Sequence, residues 1–115
     1  MPEPSAKFPR PHRLSGKLAF AAVYAEGRKT TRGPLVAYAK PNVLPHYRWG
    51  LSVSRRVGNA VRRNRIKRLL RESIRLTQTD YPGGYDVVLV VRPHDPHDLA
   101  EYKRILSVLI PPKMK

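Results

Sequence analysis

The run YDVVLVV, from Tyr85 to Val91, constrains the fold of this chain more than any other segment. Every residue after Asp86 in this run is apolar, and most are β-branched, which is typical of a strand. The run also lacks the polar alternation of a strand with a solvent-facing side, so it indicates burial on both faces. We therefore predict a strand over 85–91 that is covered on both sides by other elements.

The flanking sequence supplies partners for this strand. We predict the following elements: a helix over 17–26 with Ser15 as its N-cap, a basic turn over 28–33 (RKTTRG), a strand over 35–39, a loop over 40–46, a strand over 47–54, a basic helix over 58–76, a turn over 80–84 (DYPGG), a loop over 92–97 and a last helix over 98–110 with Asp98 in a capping box. This order predicts an α/β (α+β) two-layer sandwich, a small mixed sheet packed against helices.

The chain length of 115 residues suits one compact domain. We predict a single domain over 13–112 and a disordered arm over 1–12, where four prolines occur without periodicity. There is no cysteine, which excludes a disulfide framework, a cysteine-based zinc site and a thiol nucleophile.

No apolar run approaches the roughly 20 residues that span a bilayer, and the N-terminus lacks the apolar core of a signal peptide. We expect a cytoplasmic protein.

Charge identifies the class of partner. Lysine and arginine total 23 against 8 acids, giving a net charge of +15 and a pI near 11.0. So much charge in a small domain opposes compaction unless a polyanion is present, and nucleic acid is the usual one, with an anionic membrane as the alternative. Arginine outnumbers lysine 15 to 8. Its planar guanidinium matches phosphates and guanine edges, which favours RNA or DNA.

Much of this charge lies in one stretch, SRRVGNAVRRNRIKRLLRE, from Ser54 to Glu72. At about 100° per residue, the predicted helix separates two faces from Asn64 onward. The core face holds Ile66, Leu69, Leu70, Ser73, Ile74 and Leu76, and the polar face holds Asn64, Arg65, Lys67, Arg68, Arg71 and Arg75. Arg62 and Arg63 fall on the apolar side and Val61 on the polar side, so we expect the first turn to overhang the core.

The polar face could simply be solvated. Solvated faces usually mix signs, because like charges one turn apart destabilise a helix. Here Glu72 is the only acid, while Arg68, Arg71 and Arg75 repel one another. The pattern therefore favours a surface that binds phosphates.

The entry to this helix has the composition of an anion site. Gly58 and Asn59 permit a close backbone approach, and the free N–H groups of a helix N-terminus favour anions. Four arginines surround this end: Arg55, Arg56, Arg62 and Arg63. An ordinary Gly-Asn helix start is the alternative interpretation.

Three aromatic residues form a second candidate site. Phe20 and Tyr24 lie one helical turn apart, and Tyr38 can face them from a strand. Spacing alone leaves two interpretations open, namely core packing and a platform on which single-stranded bases stack.

Catalysis by the chain itself has little support. Metal-dependent nucleases need clustered carboxylates, whereas the acids here are scattered among separate elements. The segment from His94 to Asp98 (HDPHD) superficially resembles a metal site, but we interpret it as a turn followed by a helix cap. We predict neither catalytic residues nor a metal site in the chain.

The run GLSVSRRVGNAVRRNRIKRLLRE, from Gly50 to Glu72, resembles the signature of the bacterial ribonuclease P protein subunit. That signature has the form V-S-[KR]-[KR]-V-G-N-A-V-x-R-N-R-x-K-R-x-x-R, and every specified position matches. The resemblance extends over about residues 12–110. It includes Arg13, Leu14, Phe20, Tyr24, Gly27 and Tyr38, which fall where the family has its first helix and strand.

The resemblance implies a fold with the order helix, strand, strand, strand, helix, strand, helix. One more strand is then expected between residues 28 and 54. It also implies that the connection through the basic helix is a left-handed βαβ crossover, against the usual right-handed rule.

The resemblance also implies a function. The family protein assists a catalytic RNA that removes the 5′ leader of precursor tRNA, with Mg²⁺ bound mainly by the RNA subunit and substrate and with no organic cofactor. Contacts to the RNA subunit are expected from Arg55, Arg56, Asn59, Arg62, Arg63, Asn64, Arg65, Lys67, Arg68 and Arg71, among which Arg62 stands at an unspecified position of the signature. Contacts to the leader are expected from Phe20, Tyr24 and Tyr38, although the family often has Phe where Tyr24 stands. We expect a monomer with no membrane partner.

Three alternatives share the size and charge of this chain. A ribosomal protein or another structural RNA-binding protein would lack the cleft between the first helix and the sheet that, in the resembled family, holds the leader. A protein-only nuclease would cleave without RNA, and the scattered carboxylates argue against it. A sequence-specific DNA-binding protein would need base-reading residues beyond arginine, for which Asn59 and Asn64 are thin support.

Overall fold

The computed structural model describes residues 13–77 and 84–109, which form one mixed sheet with helices on both faces. The arm over 1–12, most of the turn predicted over 80–84 and residues 110–112 lie outside the described residues. In chain order the elements are α1 (Lys17–Glu26), β1 (Arg28–Arg32), β2 (Leu35–Pro41), β3 (Arg48–Val53), a 3₁₀ turn (Arg55–Val57), α2 (Ala60–Thr77), β4 (Tyr85–Val91) and α3 (Leu99–Leu109). None of these helices is long and apolar enough to cross a membrane.

The strand β4 lies inside the sheet, whose order is β1-β2-β4-β3. It pairs antiparallel with β2 and parallel with β3. Because parallel neighbours need a long connection, the chain between β3 and β4 crosses over through α2. The left hand of this crossover stays a prediction.

Both faces of β4 are buried, as its sequence predicts. Val87, Leu89 and Val91 belong to the larger core, while Val88 and Val90 face the opposite side. The larger core is completed by residues of β2, β3, α2 and α3, among them Leu35, Ala37, Trp49, Ile66, Leu70, Ile74, Tyr102, Ile105 and Leu106. The smaller core is formed by Val88 with Leu14, Val23, Ala19, Phe20 and Tyr38. The mixed α+β class is confirmed, and α1 adds a layer beyond the two predicted.

The basic turn predicted over 28–33 is wrong, because Arg28 to Arg32 form the strand β1. This is the additional strand that the family order implies. It pairs antiparallel with β2, from Arg28 opposite Ala39 to Arg32 opposite Leu35. The strand lies at the edge of the sheet and buries none of its residues, so it carries no apolar alternation from which it could be predicted.

The start of α1 also differs from the prediction. Gly16, not Ser15, occupies the N-cap position, and no side chain caps this helix. At the other end of the chain the cap is confirmed, because Oδ1 of Asp98 accepts the backbone N–H of Glu101 at 2.9 Å.

The two faces of α2 follow the predicted division closely. Ile66, Leu70, Ser73 and Ile74 are buried. Leu76, assigned to the core face, is 42% exposed, so the buried stripe ends before the helix does. At the other end Val61 is 78% exposed, which confirms that the first turn overhangs the core.

An ion pair between the half-buried Arg48 and the buried Asp86 joins β3 to β4. The guanidinium of Arg48 donates to both carboxylate oxygens of Asp86, at 2.8 and 2.7 Å, and Asn42 donates to the same carboxylate at 2.7 Å. Burial alone would raise the pKa of Asp86, but the hydrogen bonds from Arg48 and Asn42 outweigh it and hold the pKa below its ordinary value. The pair therefore stabilises the parallel strands when Asp86 is ionised.

We predict that Asp86→Asn lowers the free energy of unfolding by about 2 kcal/mol near neutral pH, because Arg48 loses a charged partner. A depressed folded-state pKa stabilises the protein above the ordinary aspartate pKa of about 4, and this contribution is lost as the pH falls through the folded-state pKa. Urea unfolding should be measured from neutral pH to below about pH 4. The free energies of unfolding of the variant and the parent should converge at the low end of this range.

The matched control is Glu101→Gln, which removes a solvent-exposed ion pair with Arg104. It should change the unfolding midpoint little at any pH. An Asp86→Asn variant as stable as the parent near neutral pH would contradict the role of this pair.

Candidate nucleic-acid interface

A cleft of about 770 Å³ lies where the N-terminal segment and α2 meet over β3. The segment reaches this edge of the sheet because the N–H of Leu14 donates to the carbonyl of Trp49 at 2.9 Å. From α2, residues at positions i, i+3, i+4 and i+7 face the cleft on one side of the helix. The lining residues are Arg13, Leu14, Ser15, Gly16, Phe20, Trp49, Gly50, Leu51, Asn64, Lys67, Arg68 and Arg71.

The cleft is cationic. Within residues 13–77 and 84–109, no carboxylate forms an ion pair with Lys67, Arg68 or Arg71. Burial, together with the positive charge of Arg13, lowers the pKa of Arg71. Such a site is favourable for an anion. A bound phosphate would compensate for the lost hydration of Arg71 and offset its repulsion from Arg13.

The acids in the described part of the chain are engaged elsewhere. Glu26 pairs with Lys40, Glu72 with Arg75, Asp86 with Arg48, Asp95 with Arg62 and Glu101 with Arg104, while Asp98 caps α3. Several cations away from the cleft are thus partly neutralised, whereas Lys67, Arg68 and Arg71 in the cleft pair with none of the described carboxylates.

Residues at the entry to α2 have structural partners as well as charge. Oδ1 of Asn59 accepts the N–H of Arg62 at 2.9 Å, so Asn59 caps the helix. Arg62 also pairs with Asp95 at 3.2 Å, and Nε of Arg63 donates to the carbonyl of Gly58 at 3.1 Å. The side chain of Asn59 is therefore an ordinary N-cap, as in the alternative interpretation of the Gly-Asn helix start.

The remaining predicted residues are exposed. Arg55 and Arg56 lie on the 3₁₀ turn before α2, and Arg65 lies on α2 outside the lining of the cleft. The structure thus divides the predicted RNA-binding set into a cleft group (Asn64, Lys67, Arg68 and Arg71) and a group around the helix entry (Arg55, Arg56, Asn59, Arg62, Arg63 and Arg65).

The three aromatic residues predicted to act together form one cluster. The ring centroids of Phe20 and Tyr24 lie 6.4 Å apart, and those of Tyr24 and Tyr38 lie 5.0 Å apart, both edge to face. Tyr24 is 41% exposed, so the cluster is only partly accounted for by core packing. The exposed part of the Tyr24 ring is a surface on which a base can stack.

The cluster borders a second depression of about 480 Å³ along α1. It is lined by Gly16, Lys17, Phe20, Ala21 and Tyr24. Because Gly16 and Phe20 also line the cleft, the cationic cleft continues directly into an apolar, aromatic groove.

The segment from His94 to Asp98 is an irregular loop that side-chain hydrogen bonds hold in place. Nδ1 of His94 lies 2.8 Å from the carbonyl of Arg92 and Nε2 lies 2.7 Å from the hydroxyl of Tyr102, which also accepts the N–H of His97 at 3.2 Å. Among the residues that the structure describes, no three histidine, aspartate or glutamate side chains are placed to hold a metal ion. The predicted cap is present at Asp98, whereas residues 94–98 form an irregular loop and not the predicted turn.

Two residues of the site have no local sequence pattern that marks them. Arg13, which the sequence indicates only through the family resemblance, lines the cleft beside Arg71. Gly50 lies directly beneath Phe20, since a Cβ at this position would lie 2.5 Å from Cζ of the ring. The alternation of β3 would have placed Gly50 on the face away from Trp49, but nothing local pointed to Phe20.

Comparisons with known proteins point to one family. A family model described as Ribonuclease P matches residues 8–110, which include every residue that the structure describes. The chain is 47% identical over 83 residues to the ribonuclease P protein component of Oleidesulfovibrio alaskensis, covering 70% of this chain and 66% of that relative. It is 37% identical over 105 residues to the ribonuclease P protein component of Desulfovibrio desulfuricans, covering 90% of this chain and 81% of that relative.

Among solved structures, the RNase P protein from Thermotoga maritima has the same fold. The TM-score is 0.79 at 27% sequence identity, and the match covers 90% of this chain and 97% of that chain.

The contact between Gly50 and Phe20 can be tested without any ligand. We predict that Gly50→Ala lowers the free energy of unfolding by about 1–3 kcal/mol, because the new methyl group displaces the ring. In a Phe20→Ala background the same substitution should cost much less. A double-mutant cycle by urea unfolding measures this coupling, and equal costs in both backgrounds would show that the ring does not determine the need for glycine.

Proposed function

The chain belongs to the ribonuclease P protein family, and we propose that it acts as the protein subunit of ribonuclease P in the removal of 5′ leaders from precursor tRNA. The observation that carries this proposal is the continuous path into an aromatic groove from a cationic cleft whose Lys67, Arg68 and Arg71 pair with none of the described carboxylates. A folded RNA and a single-stranded leader need these two surfaces side by side, one for phosphates and one for bases.

The RNA subunit, in this proposal, docks on the exposed side of α2 and its entry. The ionic contacts come from guanidinium and ammonium groups, whose fixed positions are set by the buried stripe of Ile66, Leu70 and Ile74. Fixed cations replace part of the counterion atmosphere of the RNA, so binding releases those ions and depends steeply on salt. The contacting residues are Arg55, Arg56, Asn59, Arg62, Arg63, Asn64, Arg65, Lys67, Arg68 and Arg71.

The leader of the precursor binds next to this surface. Its bases stack on Phe20, Tyr24 and Tyr38, while the cleft cations hold the phosphates nearest the RNA subunit. Stacking tolerates any base, because each has a π face, so the site can serve precursors with unrelated leaders.

We propose that the chemistry resides in the RNA subunit, with Mg²⁺ bound mainly by that RNA and by the substrate. Carboxylates are the ligands that Mg²⁺ prefers in proteins, and those described here are engaged by arginine, lysine or a helix end. The contribution of this chain is electrostatic, since its cations lower the amount of Mg²⁺ that the assembly needs. The protein acts as a monomer in the cytoplasm, where it meets both RNAs.

A reconstitution experiment tests the proposal. At low Mg²⁺ we predict leader cleavage only when this protein and a bacterial ribonuclease P RNA are mixed, and none with either alone. Arg65→Glu combined with Arg68→Glu should weaken binding to the RNA by at least about tenfold at roughly 150 mM salt. Cleavage is followed on a labelled precursor, and binding by titration of labelled RNA subunit.

The matched control is Arg28→Glu combined with Arg32→Glu, which makes the same change in net charge on β1. This control should bind nearly as well as the parent. Equal losses would mean that total charge, not the α2 surface, drives binding. No stimulation at any Mg²⁺ or salt concentration would reject the function and favour a ribosomal role, which co-sedimentation with ribosomal subunits would detect.

The aromatic groove gives a separate prediction. Tyr24→Ala in the reconstituted enzyme should weaken binding of leader-bearing precursor by roughly tenfold, because one stacked base loses its platform. Affinity for mature tRNA, which has no leader, should not change. An equal loss for both RNAs would show that Tyr24 supports the fold and not the leader.

A further inference from the structure

A transverse row of paired residues crosses the sheet on the face that carries α1. Lys29 of β1 is opposite Tyr38 of β2, Tyr38 is opposite Val88 of β4, and Val88 is opposite Gly50 of β3. Paired residues point to the same face of a sheet. Lys29 is therefore at one end of a row that has Gly50, beneath Phe20, at its other end.

This row continues the path that begins at the cleft. The groove along α1 ends at Tyr24, whose ring lies 5.0 Å from that of Tyr38. Nζ of Lys29 lies 6.0 Å from the centre of the Tyr38 ring. The path therefore runs from cations, through aromatic rings, to a further cation, and a groove that combines positive charge with aromatic rings suits a single strand of RNA.

The charge of Lys29 is available on this face. The side chain is exposed, and within the described residues no carboxylate pairs with it. The neighbouring cations of β1 are on the other face, because Arg28 is opposite Ala39 and Arg32 is opposite Leu35, both of which belong to the larger core.

The position of β1 relative to the aromatic rings is fixed by a tight connection. Gly27 alone separates α1 from β1, and a Cβ there would lie 2.5 Å from the carbonyl oxygen of Val23 and 3.1 Å from the backbone nitrogen of Ala39. From β3 to β1 the path crosses three strand spacings, about 14 Å. It therefore extends well beyond the Phe20 ring, which lies over β3.

We propose that the leader path extends across the sheet to β1, where Lys29 binds a leader phosphate farther from the cleavage site than the bases stacked on Phe20, Tyr24 and Tyr38. This inference rests on the proposed leader-binding function. It makes the affinity for precursor depend on leader length through β1, because only a leader long enough to cross the aromatic cluster reaches Lys29.

The test uses the reconstituted enzyme and precursors whose leader is lengthened one nucleotide at a time. Lys29→Ala should leave affinity for short leaders and mature tRNA unchanged and weaken long leaders on the order of fivefold, beginning at one threshold length. For long leaders, the slope of log affinity against log salt should fall by about 0.7, as expected for one lost contact to single-stranded phosphate. Lys29→Arg should restore both values.

Arg32→Ala is the control, because it removes an exposed cation from the same strand on the opposite face. It should show no dependence on leader length. If Lys29→Ala matches this control while Tyr24→Ala still weakens leader-bearing precursor, the extension to β1 is rejected and the leader site stands. If neither Tyr24→Ala nor Lys29→Ala distinguishes precursor from mature tRNA, the leader site and its extension are both rejected.

Discussion

The burial of β4 on both faces is the constraint on which the rest of this structure depends. A strand without a polar side needs cover above and below, so α1 must pack on one face and α2 with α3 on the other. Its parallel pairing with β3 also requires a long crossover, which α2 supplies. The same helix that satisfies this topological requirement is anchored by Ile66, Leu70 and Ile74, and so holds its cations beside the edge of β3.

The distribution of acids determines which surfaces carry the excess positive charge behind the net charge of +15. Acids of the described chain are placed against Arg48, Arg62, Arg75, Arg104 and Lys40, where they support strands, turns and helix surfaces. None of them pairs with Lys67, Arg68 or Arg71 in the cleft, and Arg71 lies partly buried beside Arg13. Repulsion of this kind destabilises the protein alone and strengthens its attraction for a polyanion, so the energetic cost and the binding capacity have one origin.

The sequence was most informative where local pattern and burial coincide. The uninterrupted apolar run located β4, and the 3.6-residue period separated the buried and cationic sides of α2, including the exposed Val61. It was least informative about β1, whose polar edge position leaves no apolar signal, and about the start of α1, which no side chain caps. Arg13 and Gly50 belong to the site through contacts between distant segments, and such contacts leave no local pattern.

The pairing of Leu14 with Trp49 has a consequence for the life of the free protein. A sheet edge with open backbone groups invites pairing between copies, and this sheet has two such edges. The segment at residues 13–14 occupies part of one edge, and what remains of it opens towards Lys67, Arg68 and Arg71. At the other edge, β1 carries Arg28, Lys29 and Arg32. Each edge therefore repels a second copy of itself, which opposes aggregation of newly made chains before an RNA partner is available.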